Sequence, residues 1–286
     1  GDDPRFELGL PFAALAEAER AAAHVDALDW ESVDPSEFGL VHLAEAGSSV
    51  GGARPKALVT NGDIHCLAKF NRLSGDPYNN ARVEHACLGM ARAAGLEVAP
   101  GKVVEGVNGR DVLLLERFDI APDGHRRHLV TVNALRKEES SQRDSGLAFR
   151  YDEVAELLSR YSVAIKADLE QLARLALFNR AINNIDDHAR NFSLIHRGDG
   201  YRLSPAYDLV PNLAVGEYHA AGFGYGPRPP RPSEAPGLGK VFGLSKPWMR
   251  ACAEEILTAL HGWPRFAEES GLDESESKRI ADAFNR

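Results

Sequence analysis

Long hydrophobic runs are missing from this 286-residue chain. No apolar stretch reaches the roughly 18 residues a bilayer-spanning helix needs, so no membrane association is expected. Cysteine is scarce: Cys66, Cys87 and Cys252 lie far apart with no Cys-x-x-Cys pair. That spacing counts against a disulfide framework or a cysteine zinc site and fits a reducing cytoplasm. The opening Gly-Asp-Asp-Pro-Arg-Phe is too acidic and polar for a secretory leader, and a first residue other than Met reads as a trimmed or processed start. Basic residues are outnumbered, 33 against 42 acidic, for a formal charge of −9, which argues against direct binding of duplex DNA. The chain also lacks an internal repeat and a Walker Gly-Lys-Ser/Thr sequence. What remains, 44% hydrophobic and 26% charged residues, is the composition of a globular protein with one large domain or two lobes sharing a cleft.

Patterning divides the chain. Residues 11–25 are rich in Ala and Glu and are predicted helical. Two β-prone runs, 57–60 and 64–70, flank Asn61-Gly62-Asp63, a hairpin signal because both turn positions tolerate positive φ. Residues 80–95 form an amphipathic helix with Val83, Cys87, Met90 and Ala94 on one stripe. A second strand pair, 103–106 and 111–116, follows around Asn108-Gly109. The later part reads as helices over 151–162, 169–182, 248–260 and 274–284, with short strands at 192–195 and 201–203. Residues 222–243, rich in Gly and Pro, read as a loop. The expected fold is α+β and two-lobed: a sheet-rich N-lobe over 1–116 and a mainly helical C-lobe over 117–286.

The chemistry concentrates in Asn184-Ile185-Asp186-Asp187-His188-Ala189-Arg190-Asn191-Phe192. An Asp and an Asn five apart, just before a hairpin, match a kinase catalytic loop, where the Asp takes or orients the hydroxyl proton and the Asn oxygen ligates magnesium. The hairpin returns the chain to Ala206-Tyr207-Asp208-Leu209, placing a second carboxylate where a metal-bridging aspartate is needed. Asp, Asn and His also favour ordinary turns, so the motif gains weight from the hairpin and Asp208 behind it. Asp187 competes with Asp186 for the role of base; the five-residue spacing favours Asp186.

Upstream, Ser49-Val50-Gly51-Gly52-Ala53-Arg54-Pro55-Lys56 lies where a phosphate-covering loop belongs, its glycines admitting close approach of backbone amides and Lys56 adding a charge. Lys69 ends a strand as a nucleotide-binding kinase lysine does, and Glu84 on the next helix is placed to hold it. Leu113–Asp119 joins the halves where a kinase hinge offers backbone groups to adenine.

In this order the parts resemble the HipA family of bacterial toxin serine/threonine kinases. The matching segments are residues 48–56, 68–70, 84–88, 115–119, 186–193 and 203–209. The resemblance implies a kinase using ATP and Mg²⁺ in the interlobe cleft. It implies Asp186 as catalytic base, Asn191 and Asp208 as metal ligands, and Lys69 at the α-phosphate. Gly51, Gly52, Ala53, Arg54 and Lys56 would cover the phosphates, Glu116, Arg117 and Phe118 would form the adenine hinge, and His188 and Tyr207 would complete the ATP site. Ser49 matches the family's autophosphorylated serine, whose modification ejects the loop and switches the kinase off; Ser48 is the adjacent rival. Family partners are a small DNA-binding antitoxin and a protein substrate, best known as an aminoacyl-tRNA synthetase (the glutamyl enzyme). Only about 45 residues precede the Gly-rich loop, where longer family members carry an N-terminal subdomain, so a separate small protein is a candidate to supply it.

Two other readings compete: a small-molecule kinase of the aminoglycoside type, with residues 222–243 lining the acceptor pocket, and a non-catalytic ATP-binding regulator. A metal hydrolase on Asp186-Asp187-His188 is disfavoured, since no second histidine stands at ligand spacing nearby.

Overall fold

The computed structural model describes residues 10–27, 54, 56–139, 149–214, 219–224, 226–237 and 239–284. It divides into two compact units, Gly1–His85 with Ala99–Arg126 and Ala86–Val98 with Arg127–Arg286.

The first unit is a five-stranded sheet of order β1-β2-β3-β5-β4. Its strands are β1 (Leu10–Pro11), β2 (Lys56–Asn61), β3 (Ile64–Phe70), β4 (Gly101–Val107) and β5 (Arg110–Glu116). The hairpin predicted at Asn61-Gly62 forms, with Gly62 at φ 60°. Alternation along the strands sorts side chains to two faces. Ala57, Val59, Cys66, Ala68, Phe70, Val112 and Leu114 share one face with Leu15, Ala18 and Ala22 of helix α1 (Leu15–Ala27). The three- and four-residue spacing of those α1 positions is what presents them as one stripe. A buried carboxylate anchors the helix: Glu19 pairs with Arg110 and accepts a hydrogen bond from Asn108 Nδ2 at 2.6 Å. Lys56 and Lys69 are directly paired across β2 and β3, so they stand together on the opposite face. Helix α2 (Asn80–Ala93) begins in this unit.

The second unit is mainly helical around a three-stranded antiparallel sheet of β6 (Leu129–Thr131), β7 (Ser193–His196) and β8 (Tyr201–Leu203). Its helices are α3 (Val132–Glu139), α4 (Tyr151–Tyr161), α5 (Ile165–Ala181), α6 (Gly239–Phe242), α7 (Lys246–His261), α8 (Trp263–Glu269) and α9 (Glu274–Ala281). Helix α5 is buried almost throughout its second half, Leu172 to Ala181. Capping sets the later starts: Ser245 Oγ accepts from Trp248 N at 3.3 Å and Asp273 Oδ1 from Glu276 N at 2.8 Å. The expectation of a loop over 222–243 needs correction: Pro232–Gly237 is a 3₁₀ helix and α6 follows it. Pro232 fits the first position of the 3₁₀ helix, where its missing N–H costs nothing, and burial of Ala235 and Phe242 holds the segment down even with Pro236 inside it.

One buried carboxylate fixes the sheet to α5. Asp168, 1% exposed, accepts hydrogen bonds from Ser162 Oγ at 2.6 Å, Arg202 Nε at 2.9 Å and Leu203 N at 2.9 Å. Removing it strands three donors, so Asp168→Ala should lower unfolding free energy by about 2–3 kcal/mol in urea titration. Arg202→Ala should cost clearly less, because the Arg202 head reaches water.

Candidate active site

Every member of the predicted catalytic trio lies in the second unit, on two loops flanking the β7–β8 hairpin. After α5 the chain passes through Asn183, in the left-handed region at φ 57°, and is pinned there by Asn183 Nδ2 donating to Asn212 O at 2.7 Å. A 3₁₀ turn over Ala189–Asn191 then folds the loop back. The Asn191 amide N–H reaches His188 O at 2.8 Å and its side-chain Nδ2 donates to Asp186 O at 2.8 Å. That return bond is the physical meaning of the five-residue spacing: it ties the Asn191 side chain back to the Asp186 backbone.

The two adjacent aspartates differ sharply. Asp187 is 1% exposed and its carboxylate is committed to three donors: Tyr151 OH at 2.9 Å, Ala221 N at 3.0 Å and His219 Nδ1 at 3.3 Å. The Asp186 side chain is 77% exposed, with His188 Nε2 3.8 Å from its Oδ1. Although that side chain opens to water, its carboxyl is held above the ordinary aspartate range. Desolvation where the loop folds over it is the first cause; the His188 charge opposes, and the Asp208 and Asp187 carboxylates add to the rise. Asp208 sits in the left-handed region at φ 56°, a conformation an L-residue holds at a cost of about 1–2 kcal/mol. Its carbonyl accepts a hydrogen bond from Asn184 Nδ2 at 3.1 Å.

Asn184 connects these loops to the helices. Its Nδ2 also donates to Asn179 Oδ1 at 3.1 Å, and Asn179 Nδ2 donates to Tyr151 OH at 2.9 Å. A continuous chain of bonds therefore runs from the Asp187 carboxylate through Tyr151, Asn179 and Asn184 to the Asp208 backbone. Burial and the Asp187 charge push the Tyr151 phenol well above its usual range, so it remains a donor. Sequence reasoning missed Tyr151, Asn179, Asn184 and His219 in this role; only Asn184, inside the motif, carried a signal. Tyr207 is placed as a brace: its hydroxyl donates to Arg190 O at 2.9 Å and lies 2.9 Å from Ser193 Oγ.

In the first unit, Lys69 Nζ is 2.6 Å from Glu84 Oε1, both side chains under a tenth exposed, so the two predicted partners are joined. Lys56 is buried beside Lys69 on the same sheet face. Arg54 pairs with Asp76 at 2.7 Å; burial works to raise the Asp76 carboxyl, but the Arg54 bond and charge outweigh it and hold it below the usual range. The Glu116 and Arg117 amides donate to Pro100 O and His65 O, each at 2.8 Å, and the Arg117 side chain pairs with Asp119. Ser48, Ser49, Gly51, Gly52 and Ala53 lie outside the described residues.

The arrangement offers oxygen donors for a hard cation: Asn191 Oδ1 and the carboxylates of Asp186 and Asp208. Among the described residues no cluster of three or more His, Cys, Asp or Glu side chains could hold a metal ion. No described helix is long and apolar enough to cross a membrane.

A sheet unit with a buried Lys–Glu pair and a helical unit carrying paired acidic loops define a two-lobed, protein-kinase-like α+β fold. A family model described as the HipA-like C-terminal domain matches residues 48–285, and the chain belongs to that family. It is 28% identical over 208 residues to "Putative kinase Y4mE" of Sinorhizobium fredii, covering 70% of this chain and 42% of that protein. It is 26% identical over 174 residues to "Toxin YjjJ" of Escherichia coli, covering 58% and 38%. The chain thus spans about two fifths of the length of the curated relatives it matches. Among solved structures, HipA of Shewanella oneidensis, in a complex with HipB and operator DNA, superposes with TM-score 0.60 at 21% identity, covering 82% of this chain and 62% of that one. The Helicobacter pylori proinflammatory kinase CtkA superposes with TM-score 0.60 at 13% identity, covering 82% and 87%.

The electrostatics of Asp186 can be tested directly. Following its carboxyl by carbon NMR against pH, Asp208→Asn should lower its pKa, by removing a repelling carboxylate. His188→Gln should raise it, by removing the charge that opposes the rise. Shifts in the reverse directions would contradict the geometry described.

Proposed function

We propose that this chain is an ATP- and Mg²⁺-dependent serine/threonine protein kinase of the HipA type, the toxin of a toxin–antitoxin pair. The observation that carries the reading is the contrast within the Asp186-Asp187 pair. One carboxylate is spent holding the loop, while its neighbour is presented to water beside Asn191 and Asp208 with its pKa raised. A base that must take a hydroxyl proton near neutral pH is served by such a shift.

In this reading Asp186 accepts or orients the acceptor's hydroxyl proton, and Asn191 and Asp208 hold Mg²⁺, which supplies charge neutralisation at the transferring phosphoryl group. Lys69, kept extended by Glu84, contacts the phosphates, with Lys56 and Arg54 near the Gly-rich loop of Gly51, Gly52 and Ala53. His188 and Tyr207 line the nucleotide side. Adenine lies on Glu116–Phe118; because the Glu116 and Arg117 amides already donate to Pro100 and His65, its contacts come from other backbone groups of that segment. Ser49, or Ser48, receives the phosphate in autophosphorylation. The kinase and toxin names of the relatives, and the HipB and operator DNA in the Shewanella HipA complex, support a small antitoxin partner that carries the DNA contact; a cytoplasmic setting is part of this reading. The protein substrate falls within the class of aminoacyl-tRNA synthetases in this reading.

Incubation with labelled ATP and Mg²⁺ tests it. Asp186→Ala and Asp208→Ala, checked for folding by circular dichroism, should each lower label transfer at least a thousandfold, or about 4 kcal/mol of transition-state stabilisation. Near-normal transfer by either variant refutes the assignment, and nucleotide-dependent stabilisation without any turnover would favour a regulator instead. After the same incubation, mass spectrometry should find phosphate on the peptide containing Ser48 and Ser49; an unmodified peptide would favour a small-molecule acceptor.

A further inference from the structure

Away from the catalytic loops, the second unit holds a cavity of ≈ 370 Å³ lined by Arg180, Phe223, Arg228, Pro229, Pro230, Arg231 and Glu234. Arg180, in the last turn of α5, is only 2% exposed, yet its guanidinium makes no hydrogen bond or ion pair among the described residues. Five N–H donors and a full charge at a cavity whose one lining carboxylate, Glu234, makes no ion pair with them are expensive to keep unless an anion binds there. A helix C-terminus attracts cations, but Arg180 donates to none of the terminal carbonyls of α5, so the dipole alone does not account for its burial.

The neighbours make the need greater. Arg228 and Arg231 are exposed, neither has a carboxylate partner among the described residues, and both lie close enough to repel Arg180. Desolvation and that repulsion both push the Arg180 guanidinium below its usual range, with Glu234 partly compensating. The Glu234 Oε2 is already used, accepting from Arg231 N at 2.9 Å. Pro229 and Pro230 separate the two outer arginines and restrict φ. In the extended helix prolines favour, residues three apart return to the same side, which would direct both arginines to one ligand.

We propose that this cavity binds a phosphoryl dianion carried on a phosphorylated serine or threonine side chain. Three guanidinium charges against one carboxylate leave a local charge of +2, matching a phosphate monoester and exceeding what one acidic side chain needs. The charges converge on one point rather than following a line, and the chain as a whole carries −9, which disfavours a nucleic-acid backbone. The site is independent of the kinase reading, since no residue in it belongs to the catalytic machinery.

The full chain is titrated calorimetrically with a phosphoserine peptide, the same peptide unphosphorylated, inorganic phosphate and a single-stranded oligonucleotide. The phosphopeptide should bind at least tenfold tighter than its unphosphorylated form. The variant Arg228→Gln/Arg231→Gln, altered only at exposed positions, should lose at least tenfold of that affinity; Arg180→Gln should lose more. Inorganic phosphate should displace the phosphopeptide; if the two bind equally well, a site for free phosphate replaces the side-chain assignment. Binding unchanged by the double variant, indifference to peptide phosphorylation, or tighter arginine-dependent binding of the oligonucleotide overturns the proposal. Loss of kinase activity in Asp186→Ala with phosphopeptide binding intact would show the two sites to be separate.

Discussion

The buried charge of Asp187 is the constraint on which the second unit's site depends. A carboxylate with 1% exposure is unfavourable by several kcal/mol unless its oxygens are fully bonded, and here three elements must converge to bond them. Tyr151 comes from the first position of α4, His219 and Ala221 from the segment that crosses behind the loop, and Asp187 from the loop itself. Satisfying that one charge therefore fixes the start of α4, the exit of α5 and the loop with respect to one another. The same network continues through Asn179 and Asn184 to the Asp208 carbonyl. The left-handed backbone at Asp208 is tolerated because this bond holds it, and its strain falls beside the exposed carboxylate where chemistry is expected.

The first unit solves a related problem by different means. Two lysines directly paired across β2 and β3 would repel each other on one sheet face, and Glu84 offsets part of that charge with a 2.6 Å contact to Lys69. On the other face, α1 is held by apolar packing and by the Glu19–Arg110 pair, so the sheet is free to present its lysines without sacrificing its core.

How much of this was legible follows from range. The Asn61-Gly62 hairpin, helix 80–93 and the 193–203 hairpin rest on local turn chemistry and local periodicity, and the structure places each within a residue or three of its expected bounds. The Lys69–Glu84 pair was readable because a strand followed by an amphipathic helix brings the two together. Nothing local marked Tyr151, Asn179 or His219: their importance comes from Asp187, 36 residues from Tyr151 and 32 from His219 along the chain, and long-range pairing leaves no trace in spacing. The Gly-Pro-rich segment misled for the opposite reason. Proline and glycine read as breakers, whereas Pro232 is compatible with the first position of a helix and buried Ala235 and Phe242 hold the short helices in place.

That misread segment also shows why a polar motif and a polar site are different things. Asp186, Asn191 and Asp208 form a motif since their spacing is set by one loop and one hairpin. Arg180, Arg228 and Arg231 form a cluster only because the irregular 228–231 segment and the 3₁₀ helix after it lie against the end of α5. Both groups share a dependence on α5, whose last turns carry Asn179 into the Asp187 network and Arg180 into the cavity one residue later. Consecutive positions on a helix differ by about 100° in direction, so a single buried turn can serve two polar environments at once. Burial of α5 is thus what orders both the acidic loops and the basic cavity, and any change that loosens its packing should be felt in the two together.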